Sequence, residues 1–397
     1  MRRVVLGLVF LTVILGVVLG LHRYLVERLV FDAGLEGVAR TVAAGAIAAL
    51  GGLLVVFPVA ERWLGAARVR WLAWPASIWM GFAFLLVVLF GATDLALWLA
   101  GGVAAAAGLE AETLPGGPSP ARALGVLAAG GLLAAGALRS GLRPPAVRRV
   151  EVELRRWPRA LDGLRIVQIS DVHLGALLGH GFAASLARRV NALRPDLVAV
   201  TGDLVDGSVH HLADDVAPLR ELRARLGVYF VTGNHDHYSG ADGWVAMARS
   251  LGMRVLRNER VAIEDRGAAF DLAGVEDHHA RLVSDTHVED LPAALDGRDP
   301  ARPVILLAHD PSTFKQASRC GVDLQLSGHT HGGQIFPFGL LVRLVIPFVA
   351  GLYERDGSLL YVSRGTGFWG PPMRLFAPAE ITELVLRAPS ADGGPRP

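Results

Sequence analysis

Five clusters of aspartate, asparagine and histidine recur along the C-terminal two thirds of the sequence. They are Asp171-Val-His173, Gly202-Asp203, Gly233-Asn234-His235-Asp236, His309 and Gly328-His329-Thr330-His331. Carboxylate, amide and imidazole groups are ligands that suit Mn²⁺, Fe or Zn²⁺. In the Asp-x-His and His-x-His pairs the members are two residues apart, so an extended backbone points both side chains to one face. The residue types therefore indicate a metal site assembled from several segments.

Each cluster directly follows a short apolar run, which predicts a buried strand. The five runs are 165–170, 197–201, 228–232, 304–308 and 324–327. Predicted helices at 182–193, 215–226 and 244–251 alternate with them, as is typical of an α/β domain. Ligands bind at the carboxyl ends of strands in open α/β sheets, so the five clusters are expected to meet in one crevice. Further apolar runs at 261–264, 270–274, 359–363 and 380–386 predict a second set of strands.

The sequence leaves open the roles of several polar residues near these clusters. Asp206 is either a support for the ligands or a helix cap, and His237 either touches substrate or lies on an exposed loop. The segment 276–279 follows a predicted strand and is a candidate lining of the pocket. Arg364 and Arg374 either meet a substrate phosphate or lie on the surface, as most arginines do.

The first 140 residues are dominated by Ala, Val, Leu and Gly. A membrane-spanning helix needs roughly 20 mostly apolar residues. The stretches that predict such helices are 4–21, 38–59, 72–90 and 123–138. The stretch 95–107 is too short to span and is interpreted as a continuation of the third helix or an interfacial segment. A cleaved signal peptide is the alternative for the first stretch, but no clear cleavage site follows it.

Arginine placement predicts the orientation of these helices, because basic residues favour the cytoplasmic side. With the N-terminus inside, the inner segments carry most arginines, including seven between 139 and 159, whereas the outer loops hold Arg23, Arg28, Arg40 and Arg122. The C-terminal domain is therefore expected in the cytoplasm, attached to the inner or plasma membrane. A fifth span at 95–107 would reverse this orientation.

The sequence lacks two features, and each absence excludes a kind of site or partner. The only cysteine is Cys320, so neither an internal disulfide nor a thiolate zinc cluster can form. No long basic face with interleaved aromatic residues occurs, so nucleic acid is not an expected partner.

The order of these motifs resembles the calcineurin-like metallophosphoesterase family. The matching pattern is D-x-H, G-D-x-x-D, G-N-H-D, a single H and G-H-T-H, over about residues 160–388. The strings GDLVDGS, GVYFVTGNHD, GHTHGGQ and YVSRGTG resemble the branch with N-terminal membrane helices. The resemblance implies two mixed β-sheets sandwiched by helices. The expected fold is thus an all-α transmembrane bundle of about four helices followed by this α/β metallophosphoesterase domain.

The resemblance also implies two divalent metal ions, Mn, Fe or Zn, and assigns their ligands. The first metal would be bound by Asp171, His173 and His331. The second metal would be bound by Asn234, His309 and His329, with Asp203 bridging both. His235 would act as general acid or phosphate stabiliser, and Asp236 would orient it. The implied domains are an anchor at 1–140, a linker at 141–150 with Pro144 and Pro145, the metallophosphoesterase domain at 151–388 and a disordered tail at 389–397.

The expected reaction is hydrolysis of a phosphodiester or pyrophosphate bond by a hydroxide that bridges the two metals. The alternatives are a soluble phosphomonoester or nucleotide as substrate, or a non-catalytic membrane transporter or scaffold. The apolar stretch 335–352, whose one charge is Arg343, bears on this choice. It is either a buried core segment or a lip that dips into the bilayer and admits a lipid-linked substrate.

Overall fold

The computed structural model describes residues 2–107, 119–284 and 286–389 of the chain. They divide into a helical unit, made of residues up to 64 with 68–139 and 370–373, and an α/β unit, made of residues 65–67, 140–369 and those from 374 onwards. The tail predicted at 389–397 lies outside the described residues except for residue 389.

Long helices make up the described part of the helical unit. They are α1 Arg2–Val26, α2 Gly37–Leu64, α3 Ala66–Ala106 and α4 Pro120–Gly141. Within the described residues, the segments 37–61, 68–106 and 120–141 are long and apolar enough to cross a membrane. This confirms the predicted N-terminal bundle of about four helices. The 41 residues of α3 span about 60 Å. The stretch 95–107 therefore continues the third helix and is not a separate interfacial segment.

Two arginines and two aspartates of the helical unit form a closed network of ion pairs. Arg28 lies 2.6 Å from Asp32 and 3.0 Å from Asp94. Arg122 lies 2.8 Å from Asp94 and 3.2 Å from Asp32, and the Tyr24 hydroxyl donates to Asp94 at 2.6 Å. The four charges cancel, so each is compensated where apolar surroundings would make a lone charge costly. The network joins the turn that follows α1 and the start of α4 to the interior of α3.

The described part of the α/β unit contains twelve strands in two mixed sheets. In chain order they are β1 Ala146–Glu153, β2 Leu164–Ile169, β3 Leu197–Thr201, β4 Val228–Val231, β5 Arg254–Val255, β6 Glu259–Asp265, β7 Ala268–Gly274, β8 Val304–Leu307, β9 Leu324–Ser327, β10 Gly351–Arg355, β11 Ser358–Val362 and β12 Glu380–Arg387. The first sheet has the order β1-β12-β2-β3-β4-β5 and the second β10-β11-β9-β8-β7-β6. Strands β2 to β5 are parallel to one another, as are β7, β8, β9 and β11. The predicted pair of mixed sheets is confirmed.

The segment predicted as a linker at 141–150 is partly a strand. β1 begins at Ala146 and pairs in parallel with β12, from Ala146 opposite Glu380 to Glu153 opposite Arg387. Most of its side chains are exposed or half-buried, as expected of an edge strand, and Val152 is the one that enters the core. The sequence does not indicate this strand, because Pro144 and Pro145 precede a weakly apolar run whose partner strand, β12, lies far along the chain.

The core of the α/β unit lies between the two sheets. The buried side chains that meet there include Ile166, Leu197, Phe270, Leu307, Leu326, Tyr361 and Leu384. The helices of the first half of the α/β unit are α5 His180–Ala192, α6 Val209–Val216, α7 Asn234–Tyr238 and α8 Ala241–Ser250. The helix predicted at 215–226 is wrong, because α6 gives way to a 3₁₀ turn at 217–221 that contains Pro218, which lacks an amide donor.

Three short helices follow in the second half of the α/β unit. They are α9 Leu291–Leu295, α10 Phe314–Ala317 and α11 Phe338–Val345. No residue of α11 is buried. The interpretation of 335–352 as a core segment is therefore wrong for this helix, because apolar composition alone does not distinguish a core segment from an exposed apolar surface.

Candidate metal centre

The predicted ligand clusters lie together at the carboxyl ends of the central strands. In the first group the Nε2 atoms of His173 and His331 are 3.0 Å apart. His331 Nε2 also lies 3.4 Å from Asp171 Oδ1. All three residues are buried, and one donor atom from each lies within 4.8 Å of the others. The structure thus brings together the three residues predicted for the first metal.

The second group lies on the other side of Asp203. His309 Nε2 is 3.1 Å from Asp203 Oδ2 and 3.3 Å from His329 Nδ1. The same His329 nitrogen is 2.9 Å from the Asn234 side-chain oxygen. Asp203 Oδ2 is also 3.8 Å from His173 Nε2, so this oxygen lies between the two groups. The geometry is the one expected if Asp203 bridges two sites.

The chemistry of these atoms fits divalent cations. The His173 and His331 nitrogens face each other, an arrangement that two lone pairs tolerate when a positive charge lies between them. Asp171 Oδ2 is buried and has no hydrogen-bond partner in the described part of the chain. The other ring nitrogen of His173 is 2.9 Å from Asp206 Oδ1, the carboxylate–histidine pairing that orients metal ligands. Residues 171, 173, 203, 234, 309, 329 and 331 can therefore hold two metal ions.

Five of the predicted ligands have left-handed backbone conformations, which are rare for residues other than glycine. The φ angles are 52° at Asp171, 50° at His173, 52° at Asp203, 72° at His329 and 51° at His331. Such conformations cost about 1–3 kcal/mol each and persist where the surrounding structure imposes them, commonly at functional sites. Strain is thus concentrated at the strand ends that present the ligands.

Two glycines leave the space that these strand ends need. Gly202 has φ +85°, and a Cβ there would lie 2.7 Å from the Gly233 amide nitrogen and from His309 Nδ1. A Cβ at Gly328 would overlap the side chains of Ser170 and Asp171. Any larger residue at either position would displace a proposed ligand.

His235 borders both groups and is oriented by Asp206. Its Nδ1 lies 2.7 Å from Asp206 Oδ1, the same oxygen that contacts His173. Burial disfavours the charged imidazolium, but the hydrogen bond to Asp206 and the charge of Asp203 raise the pKa of His235 to about 9. The His235 ring lies 5.7 Å from the Trp369 ring and 5.5 Å from the Tyr238 ring. Of the two interpretations of Asp206, the structure agrees with a support for the ligands.

The position of Asp236 does not match its predicted role, which is to orient His235. Asp236 is fully buried, and its carboxylate accepts hydrogen bonds from the backbone amides of Leu204 at 2.9 Å and Gly233 at 2.8 Å. Successive helical residues point about 100° apart, so within α7 the side chains of His235 and Asp236 face different ways. Asp236 therefore joins the loops that follow β3 and β4, and Asp206 orients His235 in its place.

His237 is a buried structural residue, which neither interpretation from the sequence anticipated. Its Nε2 lies 3.1 Å from Glu276 Oε2 and 3.0 Å from the Thr232 hydroxyl. Arg257 also pairs with Glu276. Burial alone would raise the pKa of Glu276, but the bonds from His237, Arg257 and Thr232 lower it to about 2. This network fastens the segment after β7 to the loop that carries Asn234.

The segment 276–279 reaches the second group through His279. The His279 ring stacks on the His329 ring at 5.4 Å, and its Nδ1 is 3.4 Å from Asp310 Oδ2. Burial, with the charge of Asp203 as a further cause, raises the pKa of the neighbouring Asp277 to about 7. Asp310 lies 3.9 Å from His329 Nε2. Sequence reasoning missed Asp310, although its place directly after His309 at a strand end was an available signal.

Neither Arg364 nor Arg374 is an ordinary surface arginine. Arg374 is fully buried, donates to the backbone oxygens of Arg364 at 2.7 Å and Ala377 at 3.0 Å, and lies 3.3 Å from His331 Nδ1. Burial lowers the pKa of Arg374 to about 10. Arg364 pairs with Glu380 at 3.0 Å. Arg374 thus holds the backbone at Arg364 and Ala377 next to the His331 ring.

A sandwich of two mixed sheets whose strand ends carry these ligand groups defines a metallophosphoesterase domain. The model of the calcineurin-like phosphoesterase family matches residues 164–333, and the chain belongs to this family.

Relatives of known sequence extend the match beyond these residues. A bovine (Bos taurus) transmembrane protein with metallophosphoesterase domain is 45% identical over 262 residues, covering 63% of this chain and 59% of that protein. An uncharacterized metallophosphoesterase of Aquifex aeolicus is 34% identical over 243 residues, covering 61% of this chain and 91% of that protein. The chain thus spans less than two thirds of the bovine relative's length.

Among solved structures, the phosphopantetheinyl hydrolase of Mycobacterium tuberculosis is similar to this chain with a TM-score of 0.35 and 16% identity. The similarity covers 52% of this chain and 91% of that one.

Proposed function

We propose that this protein is a membrane-anchored phosphoesterase that hydrolyses a phosphodiester or pyrophosphate bond with two divalent metal ions. The observation that carries the proposal is the position of Asp203 Oδ2, which lies 3.1 Å from His309 Nε2 of one group and 3.8 Å from His173 Nε2 of the other. A carboxylate shared by two buried ligand groups is what a two-metal site requires. Membership of the calcineurin-like phosphoesterase family supports the same conclusion.

The proposed ligands keep the assignment made from the sequence. The first metal is assigned to Asp171, His173 and His331. The second metal is assigned to Asn234, His309 and His329, and Asp203 is assigned to both. When bound, two such ions activate water and neutralise charge on the phosphate oxygens. The surrounding carboxylates, Asp206 and Asp310, hold the rings of His173 and His329 in place.

His235 is the proposed proton donor to the leaving oxygen. Asp206 engages its Nδ1 at 2.7 Å, so Nε2 is the atom that carries a proton towards the substrate. A positioned acid of this kind contributes roughly 10²–10⁴-fold to the rate. In its protonated form the ring also contributes positive charge next to the phosphate. Asp236 supports this role only through the loops it joins.

The helical unit is proposed to serve as the anchor, residues 1–140, of a catalytic domain that begins with β1. The domain is assigned to the cytoplasmic side of the inner or plasma membrane, because most arginines of the N-terminal region fall in segments expected on that side. The closed network of Arg28, Asp32, Asp94 and Arg122 supports an anchor rather than a transport path, since each charge is already paired.

The test is hydrolysis of bis(p-nitrophenyl) phosphate by the full chain in detergent, with and without Mn²⁺. Asp203→Asn is expected to abolish activity, because it weakens both sites at once. Asp214→Asn is the matched control, since Asp214 is exposed on α6. A folded protein with two ions bound that hydrolyses neither this ester nor p-nitrophenyl phosphate, in detergent or in lipid, would reject the proposal.

A further inference from the structure

An exposed apolar surface lies directly beside the candidate metal centre. It consists of Phe336, Leu340, Leu341, Leu344, Val345 and Phe376, here called the apolar lip. Leu344 is 82% exposed, Val345 80% and Phe376 79%. Contiguous apolar surface of this kind is uncommon on soluble proteins and marks an interaction site.

The apolar lip is a defined surface rather than a loose loop. The rings of Phe336 and Phe376 meet edge to face at 5.9 Å. The backbone of Ile335 bridges to Leu375 and Phe376, so the segments before α11 and after Arg374 are joined. A short helix with apolar side chains and one basic residue, Arg343, has the composition of helices that lie in the membrane interface.

The chain itself indicates what covers the apolar lip. Only residues 142–145 separate the end of α4 from the start of β1, a distance of less than roughly 20 Å when fully extended. The start of β1 is therefore connected by a short tether to the last helix of the proposed anchor. Arg343 is exposed on the same helix as Leu341 and Leu344, and its positive charge suits anionic lipid headgroups.

The apolar lip is also connected to the residues proposed for catalysis. Gln334, two residues before Phe336, donates from its side chain to the Trp369 carbonyl at 2.8 Å and accepts from the Trp369 amide at 3.0 Å. The Trp369 ring lies 5.7 Å from the His235 ring. Gln334 and Trp369 thus connect the segment that leads into the apolar lip with the proposed proton donor.

We propose that the apolar lip inserts into the surface of a phospholipid bilayer and that the substrate is a lipid phosphoester taken directly from that bilayer. This inference rests on the proposed function and adds the class of substrate. The acyl chains remain among the side chains of α11 and Phe376, while the phosphate reaches His235 past Trp369.

The first experiment measures depth in the bilayer, with the full chain in phosphatidylcholine nanodiscs. Because Cys320 is the only cysteine, Cys320→Ser gives a background in which Leu344→Cys takes a single bimane label. Brominated acyl chains are expected to quench this label at least twofold more than a label at Glu264→Cys. Glu264 is exposed near the opposite end of the second sheet. Equal quenching at the two positions overturns the inference. So does a blue-shifted, unquenched label at Leu344, which would indicate a protein partner or a second copy.

The second experiment compares two substrates with the same leaving group. One is bis(p-nitrophenyl) phosphate in solution, and the other is the p-nitrophenyl ester of dioleoyl phosphatidic acid embedded in the disc. The Leu344→Asp, Val345→Asp double variant is expected to lose about tenfold or more on the lipid ester, since burial of these side chains is lost. It should stay within about twofold of wild type on the soluble ester. Equal loss on both substrates, or on neither, overturns the lipid substrate. If wild type hydrolyses neither ester, the proposed function fails, and the depth measurement alone then decides whether the lip inserts.

Discussion

Asp206 Oδ1 lies 2.7 Å from His235 Nδ1, and the same oxygen lies 2.9 Å from His173 Nδ1. One carboxylate oxygen therefore orients both the proposed proton donor and a proposed metal ligand. Burial would raise the pKa of Asp206, but the two histidines hold it well below its usual range. The low pKa favours the charged carboxylate, which is the form that orients both histidines.

Asp206→Ala is expected to lower kcat by about 10–100-fold, because loss of an outer partner of a metal ligand typically has this effect. Metal affinity should fall less than it does in Asp203→Asn. The measurement is kcat on bis(p-nitrophenyl) phosphate together with metal content by mass spectrometry. Asp214→Ala serves as the control, and an unchanged kcat in Asp206→Ala would show that the carboxylate has no such role.

His235→Ala and His237→Ala separate the proposed proton donor from a structural histidine in the same short helix. His235→Ala should keep both metals but lose about 10²–10⁴-fold in kcat. His237→Ala should lower Tm instead, because it removes the partner of Glu276, and should change kcat less than tenfold at low temperature. Loss of both metals from His235→Ala would mean that His235 is a ligand.

Asp236→Ala is expected to destabilise the fold rather than to act on the reaction directly. It leaves the buried amides of Leu204 and Gly233 without their acceptor, which costs about 1–3 kcal/mol for each group. Thermal unfolding should show a lower Tm, while the activity that remains at low temperature should exceed that of His235→Ala. A normal Tm with strongly reduced kcat would favour the direct role expected from the sequence.

Removal of divalent ions should abolish activity and lower Tm, since the proposed ligands come together only in the folded state. At 100 times the dissociation constant a bound ion contributes about 2.7 kcal/mol. Treatment with EDTA followed by graded return of Mn²⁺ should restore Tm and activity together. A Tm that is insensitive to EDTA in a protein shown to have lost its metal would contradict the proposed site.

The lowered pKa of the Glu276 carboxyl predicts how the stability of the fold depends on pH. This pKa is lowered from 4.5 to about 2 in the folded protein. The stabilisation is therefore fully present above about pH 4.5 and is lost as the pH falls towards 2. Its size is at most about 3 kcal/mol. The Tm difference between wild type and Glu276→Gln should thus be largest near neutral pH and shrink in acid, and a difference that is constant from pH 7 to pH 3 would refute this.

The ligand clusters could be predicted from the sequence because their signal is local. Each cluster directly follows a run that forms a buried strand, and parallel strand ends meet at one edge of a sheet. Asp171 and Asp203 follow neighbouring parallel strands of the first sheet, so their proximity could be expected from the chain. His309 follows β8 of the second sheet, and its approach to them depends on how the two sheets pack.

Residues whose partners are distant in sequence could not be assigned in this way. Asp206 contacts His173 and His235 through folding, and nothing in its own neighbourhood distinguishes it from Asp236. The residues of β1 resemble a linker in the sequence, because the strand that pairs with them, β12, is distant along the chain. The exposure of α11 was equally hidden, because Leu344 in an apolar run is compatible with either a core or a surface.

The pairing of β1 with β12 constrains the order of events during synthesis. β1 directly follows the long helices and is synthesised well before its neighbour in the sheet, Glu380–Arg387. Domains that depend on contacts between their ends complete folding only after translation has passed both ends. We therefore expect the proposed anchor to insert before the first sheet is complete, so that the domain would acquire its final sheet order at the membrane rather than in free solution.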